Sequence, residues 1–199
     1  VCVVPGSRLA LSTSGDATLR VWDLSTGRQE RVLAGHTDRI DDLALLPDGR
    51  HFLTAGWDET VAIWNLFEES SPQYISIDDG PVRLVAPALD GRMAVAATWK
   101  TLHVLDLVRA ARLRALKGHK DYVTALAVTP DGRSVVSCSR DGSVRVWDLL
   151  SGSQRHEFEG HTDVPSDLAI TPDGELAISA SHDHSVRIWD LRNGCPGGI

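Results

Sequence analysis

A serine or threonine, a histidine and an aspartate recur together along this chain at fixed spacing. Counted from the aspartate, the histidine lies 22 residues earlier, the hydroxyl residue four earlier and a tryptophan six later. The full set occurs three times, as His36, Thr54, Asp58 and Trp64; His119, Ser137, Asp141 and Trp147; and His161, Ser179, Asp183 and Trp189. A fourth copy retains Ser12, Asp16 and Trp22. Serine, histidine and aspartate within contact distance form the catalytic triad of many hydrolases.

The repetition of this set favours a structural role over a catalytic one. Nucleophilic catalysis needs one exposed hydroxyl beside an oxyanion site, whereas this set recurs in four places and includes a tryptophan each time. The chain also lacks the GxxxxGKS/T, GxGxxG and HExxH motifs of nucleotide-binding and zinc-dependent proteins. We therefore predict that the chain is not an enzyme and has no catalytic residues, no cofactor and no small-molecule substrate.

One short segment has residue types that bind metal ions. His182 and His184 flank Asp183, and two imidazoles beside a carboxylate are possible zinc ligands. However, Asp183 already belongs to the repeated set, and the equivalent Asp141 has an arginine and a glycine as neighbours. We predict no metal site.

The repeated residues lie on a hairpin that the chain builds several times. In residues 134–151, two runs rich in valine and serine flank the turn at Asp141-Gly142, and the second run ends in Trp147-Asp148. An Asp-Gly turn between strand-forming runs is a strong hairpin signal. Related hairpins are predicted at residues 9–24, 52–66 and 177–191.

The tryptophans of these hairpins give a repeat of 42 residues. Trp22 and Trp64 are 42 residues apart, as are Trp147 and Trp189. The 83 residues from Trp64 to Trp147 leave room for one more unit with a single deletion, in which Leu105 takes the tryptophan position. Self-similarity at this period is typical of repeat folds.

This third unit has lost the repeated set. Asp78, Ala96 and Lys100 stand at the positions of the histidine, the hydroxyl residue and the aspartate. One hypothesis is that Asp78 and Lys100 form an ion pair of reversed sign across the same gap; the alternative is two solvated charges. We predict that this unit is the least stable of the five.

Glycine–histidine pairs lead into three of the hairpins, at Gly35-His36, Gly118-His119 and Gly160-His161. Together with the Trp-Asp ends, these pairs make nearly the whole chain resemble the WD-repeat (WD40-type) β-propeller family. The resemblance implies an all-β propeller of four-stranded antiparallel blades, with each sequence repeat offset from its blade by one strand. It also implies that the repeated side chains form a buried network, in which aspartate accepts from histidine, histidine meets the hydroxyl, and the hydroxyl meets the tryptophan N–H.

The repeats define a single propeller region over residues 1–199. Its units are predicted at 1–34, 35–76, 77–117, 118–159 and 160–199, of which 77–117 is degenerate. We expect both ends to be truncated and the five units to form an incomplete arc of a larger ring of about seven blades. The fifth unit is expected to lack its fourth strand, because the run 193–198 is rich in glycine and proline.

Two loop positions are candidates for partner binding. The residue before each hairpin aspartate is Gly15, Trp57, Trp99, Arg140 or His182, and the third residue after each histidine is Arg39, Tyr122 or Val164. In the family that the chain resembles, both positions lie on one face around the central channel. Tryptophan, tyrosine and arginine are enriched in binding hot spots. The candidates are therefore Arg39, Trp57, Trp99, Tyr122, Arg140 and His182. Trp57 and Trp99 either form one aromatic patch or each pack over their own hairpin.

Composition narrows the choice of partner and compartment. The net charge of −7 and the pI of about 5.5 argue against a nucleic-acid partner, and no apolar run is long enough for a membrane span. The three cysteines, Cys2, Cys138 and Cys195, lack CxxC spacing. They predict a reducing intracellular compartment, the cytoplasm or the nucleus, with Cys138 as a buried core thiol.

The predicted function is a non-catalytic scaffold that binds proteins or peptide segments on its loop face. One alternative is the sensor or regulatory region of a larger signalling ATPase or kinase. A second is a reader of modified peptides. A phosphate reader is disfavoured because it needs several converging arginines, and only Arg39 and Arg140 are expected on the loop face, in units that are not neighbours; a methyl-lysine cage would use Trp57, Trp99 and Tyr122.

Overall fold

A computed structural model of the chain describes residues 1–68 and 70–198, which form twenty strands in five antiparallel sheets. The first three sheets contain β1 (Cys2–Val3), β2 (Leu9–Thr13), β3 (Thr18–Asp23) and β4 (Arg28–Ala34); β5 (Ile40–Leu45), β6 (His51–Gly56), β7 (Thr60–Asn65) and β8 (Gln73–Ser76); β9 (Leu84–Pro87), β10 (Met93–Ala97), β11 (Thr101–Asp106) and β12 (Ala111–Lys117). The last two contain β13 (Val123–Val128), β14 (Ser134–Ser139), β15 (Val144–Asp148) and β16 (Gln154–Phe158); β17 (Pro165–Ile170), β18 (Leu176–Ser181), β19 (Val186–Asp190) and β20 (Cys195–Gly198). No helix in these residues is long and apolar enough to cross a membrane.

Each sheet is a blade of four strands that pair in chain order. Tight turns allow this order because their residues tolerate a left-handed backbone. In the Pro-Asp-Gly turn of the fourth blade, Gly132 has φ +68°, and the Asp131 carboxylate accepts from the backbone N–H of Arg133 at 3.0 Å. Gly142 has φ +83° in the hairpin turn of the same blade. The first turn connects β13 to β14 and the second connects β14 to β15, so the two turns lie at opposite ends of the blade.

The apolar core lies between consecutive blades. It consists of four clusters, and each joins one blade to the next along the chain. Between the third and fourth blades, for example, Val95 and Leu102 pack in the same cluster as Val135 and Trp147. None of the four clusters joins the first blade to the fifth, so the described residues form an open arc, as the sequence predicted.

The fifth blade shows what the open arc exposes. Val144 of the fourth blade is fully buried in the cluster that joins the fourth and fifth blades. Val186, which lies 42 residues later at the same position of the fifth blade, is 54% exposed. The last blade therefore exposes Val186 at a position whose equivalent in the fourth blade is buried between blades.

The prediction that the fifth blade lacks a fourth strand is wrong. β20 pairs with β19, with Cys195 opposite Asp190 and Pro196 opposite Trp189. An edge strand needs backbone hydrogen bonds on one side only, so it tolerates a proline that a central strand would not. A register shift at Ile188/Trp189 matches the shift at Val146/Trp147 in the fourth blade, so the edge strand joins its blade in the usual register.

Candidate partner-binding face

A buried hydrogen-bond network fixes the loop end of the fourth blade. His119 lies on the inter-blade loop, the segment between the last strand of one blade and the first strand of the next. Its Nδ1 is 3.1 Å from Asp141 Oδ2, and its Nε2 is 2.8 Å from Ser137 Oγ. Trp147 Nε1 donates to the same Ser137 Oγ at 2.9 Å. The side chain of His119 and the whole of Ser137 are inaccessible to solvent.

The second and fifth blades have the same arrangement. His36 Nδ1 lies 2.8 Å from Asp58, and His161 Nδ1 lies 2.8 Å from Asp183. The hydroxyls meet the imidazole Nε2 at 2.6 and 2.7 Å and accept from the tryptophan N–H at 2.8 Å in both blades; they belong to Thr54 with Trp64 and to Ser179 with Trp189. In the first blade, Trp22 donates to Ser12 at 2.9 Å, and Asp16 instead pairs with Arg20 at 2.7 Å.

The pKa shifts of Asp141 and His119 indicate a structural role for this network. Burial alone would raise the pKa of the Asp141 carboxyl, but hydrogen bonds from Ser143, Lys120 and His119 bring it below its usual value. Burial lowers the pKa of His119, and Asp141 offsets this only in part. The imidazole is therefore neutral at pH 7, and its Nδ1–H donates to Asp141 while the Ser137 hydroxyl donates to Nε2. A hydroxyl with both bonding directions occupied and no solvent access offers no nucleophile to a substrate.

The third blade does not contain the hypothesised Asp78–Lys100 ion pair. The Lys100 ammonium donates to the backbone oxygen of Lys120 in the next inter-blade loop at 2.8 Å. Asp78, at φ +51°, accepts from Ser76 Oγ at 2.9 Å. Its neighbour Asp79 instead lies 3.1 Å from Nε2 of the buried His103.

The aromatic candidates on the loop face meet across three blades. The ring centroids of Trp57 and Trp99 are 5.8 Å apart in an edge-to-face arrangement, and those of Trp99 and Tyr122 are 4.8 Å apart. All three residues are half-buried. The structure therefore brings the second, third and fourth blades together through one line of rings, and Trp57 and Trp99 do not pack separately over their own hairpins.

Each ring also carries a guanidinium group. Arg39 lies over Trp57 at 5.4 Å, Arg83 over Trp99 at 5.3 Å, and Arg140 over Tyr122 at 5.3 Å from the ring centroid. Such stacking holds a cation near an aromatic face. We call these three rings and three arginines the loop-face row. His182 lies outside the row, but it lines a cavity together with Arg83 and Arg140.

Asp41 ties one end of the loop-face row together. Its buried carboxylate accepts from Trp57 Nε1 at 2.8 Å and forms ion pairs with Arg39 and, at 3.4 Å, with Arg83. Sequence reasoning missed both Asp41 and Arg83. Arg83 lies 42 residues after Asp41 and 41 before Thr124, so the three residues occupy equivalent positions at, or just before, the start of the first strand of their blades. Counting from the strand rather than from the histidine would have found Arg83, and it corrects the inference that Arg39 and Arg140 are the only arginines available on this face.

Other candidate chemistry is limited. No group of three or more histidine, cysteine, aspartate or glutamate side chains in the described part of the chain could hold a metal ion. Cys138 is buried, and burial raises the pKa of its thiol. It behaves as a core residue, not a reactive one.

The fold and the repeated network define a WD-repeat propeller module. A family model described as "WD domain, G-beta repeat" matches residues 1–23, 27–65, 111–148 and 152–190, and the chain belongs to this family. The last three matches each begin at, or within two residues before, the fourth strand of one blade and end on the third strand of the next. No match falls on residues 66–110, which include most of the degenerate third unit.

Similar proteins include the nuclear distribution protein PAC1 of Arthroderma otae, which is 33% identical over 163 residues, or 70% of this chain and 35% of PAC1. The target of rapamycin complex subunit wat1 of Schizosaccharomyces pombe is 27% identical over 150 residues, or 71% of this chain and 47% of wat1. The nuclear distribution protein nudF of Aspergillus niger is 27% identical over 162 residues, or 70% and 36%. The matched part of the chain therefore spans 35–47% of these relatives, and none of them is named as an enzyme.

Proposed function

We propose that this chain is a non-catalytic interaction module that binds a segment of a partner protein on the loop-face row. The observation that carries the proposal is the contact of Trp57, Trp99 and Tyr122 across three blades, with an arginine stacked on each ring. Tryptophan, tyrosine and arginine are the residue types that dominate binding energy in protein interfaces.

The side chains of the loop-face row are ordered in the unbound chain. Trp57 and Arg140 directly precede Asp58 and Asp141, and each of these aspartates is anchored by a buried histidine. Asp41 further fixes the indole N–H of Trp57. A surface whose side chains are already ordered loses less conformational entropy on binding. The buried networks therefore support recognition by residues outside them.

The relatives support a protein partner. One is named as a subunit of a complex, and two as nuclear distribution proteins. Recognition of methyl-lysine is less well supported, because the arginine stacked on each ring already supplies a cation there and would repel an alkylammonium ion.

Display of a random peptide library tests the proposal. Peptides selected on the wild-type chain should lose at least about tenfold in affinity for Trp99→Ala, because truncation of the central ring breaks the line of rings. Leu150→Ala is the matched control, since Leu150 is 85% exposed in the turn at the other end of the fourth blade. Peptides that bind both variants as tightly as wild type would place recognition elsewhere and overturn the proposal.

A further inference from the structure

A cavity of about 410 Å³ opens on the loop face where the third, fourth and fifth blades meet. Arg83, Arg140 and His182 contribute its cationic or titratable groups, and Leu84, Val123 and Val164 contribute apolar side chains. The cavity therefore combines positive charge with apolar surface, although the chain as a whole has a net charge of −7.

The two arginines of this cavity lack full compensation by carboxylates. Among the described residues, Arg83 has one ion-pair partner, Asp41 at 3.4 Å, and Arg140 has none. A larger cavity between the fourth and fifth blades, lined by Arg155 and Arg192, is different. There, Arg155 pairs with Asp148 and Arg192 pairs with Glu175. Unpaired positive charge is therefore a feature of the loop-face cavity.

An aromatic ring lies beside each of the two guanidinium groups. Arg83 lies over Trp99 and Arg140 over Tyr122, each at 5.3 Å from the ring centroid, and the two rings are themselves 4.8 Å apart. A guanidinium group is planar, and its N–H groups can bind a carboxylate through two parallel hydrogen bonds. The loop-face row thus places two such donor groups at one cavity.

We infer that this cavity binds the carboxylate of an aspartate or glutamate in an acidic partner segment, with a neighbouring apolar residue against Leu84, Val123 and Val164. This inference rests on the proposed function and names the chemistry of its partner. A carboxylate suits the site better than a phosphate because Asp41 neutralises part of the Arg83 charge and repels a second negative charge. Among the described residues that line the cavity, Arg140 is the arginine without a carboxylate partner.

Fluorescence anisotropy with three labelled eight-residue peptides tests the inference. The first peptide alternates glutamate with leucine, the second has glutamine for glutamate, and the third has phosphoserine for glutamate. We expect the glutamate peptide to bind wild type at least about tenfold more tightly than the glutamine peptide. Its affinity should fall when salt is raised from about 50 to about 200 mM, because exposed charges are screened.

Arg140→Gln should abolish the preference for glutamate. Arg192→Gln is the matched control, because Arg192 is 72% exposed and lies at the other end of the fifth blade. Circular dichroism should show the same fold and melting for both variants, since both side chains are exposed. Arg140→Lys keeps the charge without the fork of donors, and it should retain part of the preference.

Three results would overturn the inference. They are no binding of the glutamate peptide to wild type, equal binding of the glutamate and glutamine peptides, and tighter binding of the phosphoserine peptide that depends on Arg140. None of these results affects the proposed function if display-selected peptides still require Trp99. If Trp99→Ala leaves the affinity of those peptides unchanged while the glutamate preference depends on Arg140, the proposed function fails and the anion site remains.

Discussion

In both the third and the fourth blade, a histidine–carboxylate contact links the inter-blade loop to the hairpin, but the two residue types are exchanged between loop and hairpin. In the fourth blade the loop supplies His119 and the hairpin supplies Asp141. In the third blade the loop supplies Asp79, and His103 comes from the third-blade strand β11. Both imidazoles are fully buried, but the Asp141 side chain is 7% exposed and that of Asp79 is 42% exposed. The same pair of residue types is therefore shielded from water in one blade and half open to it in the other.

The two arrangements also differ in how completely they satisfy their polar atoms. Both ring nitrogens of His119 have partners. Nδ1 of His103 is buried without a hydrogen-bond partner in the described part of the chain, and Thr98 Oγ1 lies 3.5 Å from its Nε2. A network that is only partly satisfied contributes less than a complete one. The third blade depends instead on apolar packing, with the fully buried Leu105 in the tryptophan position.

The largest expected effect comes from replacing the tryptophan of the fourth blade by leucine, the residue at the same position of the third blade. Trp147→Leu should lower the free energy of unfolding by about 2–4 kcal/mol, because the 2%-exposed indole leaves a cavity and Ser137 loses a donor. Urea denaturation followed by circular dichroism measures the change. Trp22→Leu is the matched control: Trp22 makes the same bond to Ser12 but is half-buried, so it should cost less. Equal losses would show that the complete network adds nothing.

The hairpin aspartate is expected to have the next largest effect. Asp141→Ala should cost about 1–3 kcal/mol, because the buried N–H of His119 and the backbone N–H of Lys120 lose their acceptor. Lys100→Ala changes the equivalent position of the third blade and should stay within about 0.5 kcal/mol, since the Lys100 side chain is exposed. The same denaturation experiment measures both. If the two variants unfolded alike, the contrast between the blades would be wrong.

A smaller loss is expected for the loop aspartate of the third blade. Asp79→Ala should cost about 0–1 kcal/mol, because water screens a carboxylate that is 42% exposed. Thermal melting beside Asp141→Ala gives the comparison directly. A loss at Asp79 as large as that at Asp141 would mean that the third blade depends on its ion pair and not on packing.

The sequence predicted most of the fold because the repeat signals are local. The 42-residue spacing of the tryptophans and the glycine-containing turns predicted five blades. The sequence prediction missed β20 because strand propensity depends on side chains. An edge strand such as Cys195–Gly198 needs only backbone hydrogen bonds to one neighbouring strand.

The candidate site was less accessible to sequence reasoning. Counting residues placed Trp57, Trp99 and Arg140 at loop tips, but contact between rings of different blades depends on side-chain direction, which spacing does not give. Arg83 was missed because it lies five residues after the histidine position of the third unit, whereas only the third residue after that position was considered as a loop candidate. The same count placed Asp78 at the histidine position, whereas the carboxylate that meets the buried imidazole of this blade belongs to Asp79.

The smallest expected difference concerns pH. Burial lowers the pKa of His103 below its usual 6.5, and Asp79 offsets this only in part, while Arg112 and Lys117 lower it further. Between the lowered pKa and 6.5, the unfolded chain binds a proton that the folded chain does not. Stability from this group is therefore complete above pH 6.5 and is lost as the pH falls towards the folded pKa. His119 acts in the same direction.

Unfolding free energy measured from pH 7.5 to about 5.5 tests this linkage, since most carboxylates are ionised throughout this window. Asp58, whose pKa is lowered to about 2 because hydrogen bonds outweigh the effect of its burial, changes the stability only below about pH 5. His103→Gln should reduce the slope of stability against pH. Asp79→Asn should steepen it, because a carboxylate that favours the charged imidazole is then gone. A His103→Gln slope equal to that of wild type would show that the imidazole of the third blade is protonated equally in the folded and unfolded chains, and its burial would then carry no electrostatic cost.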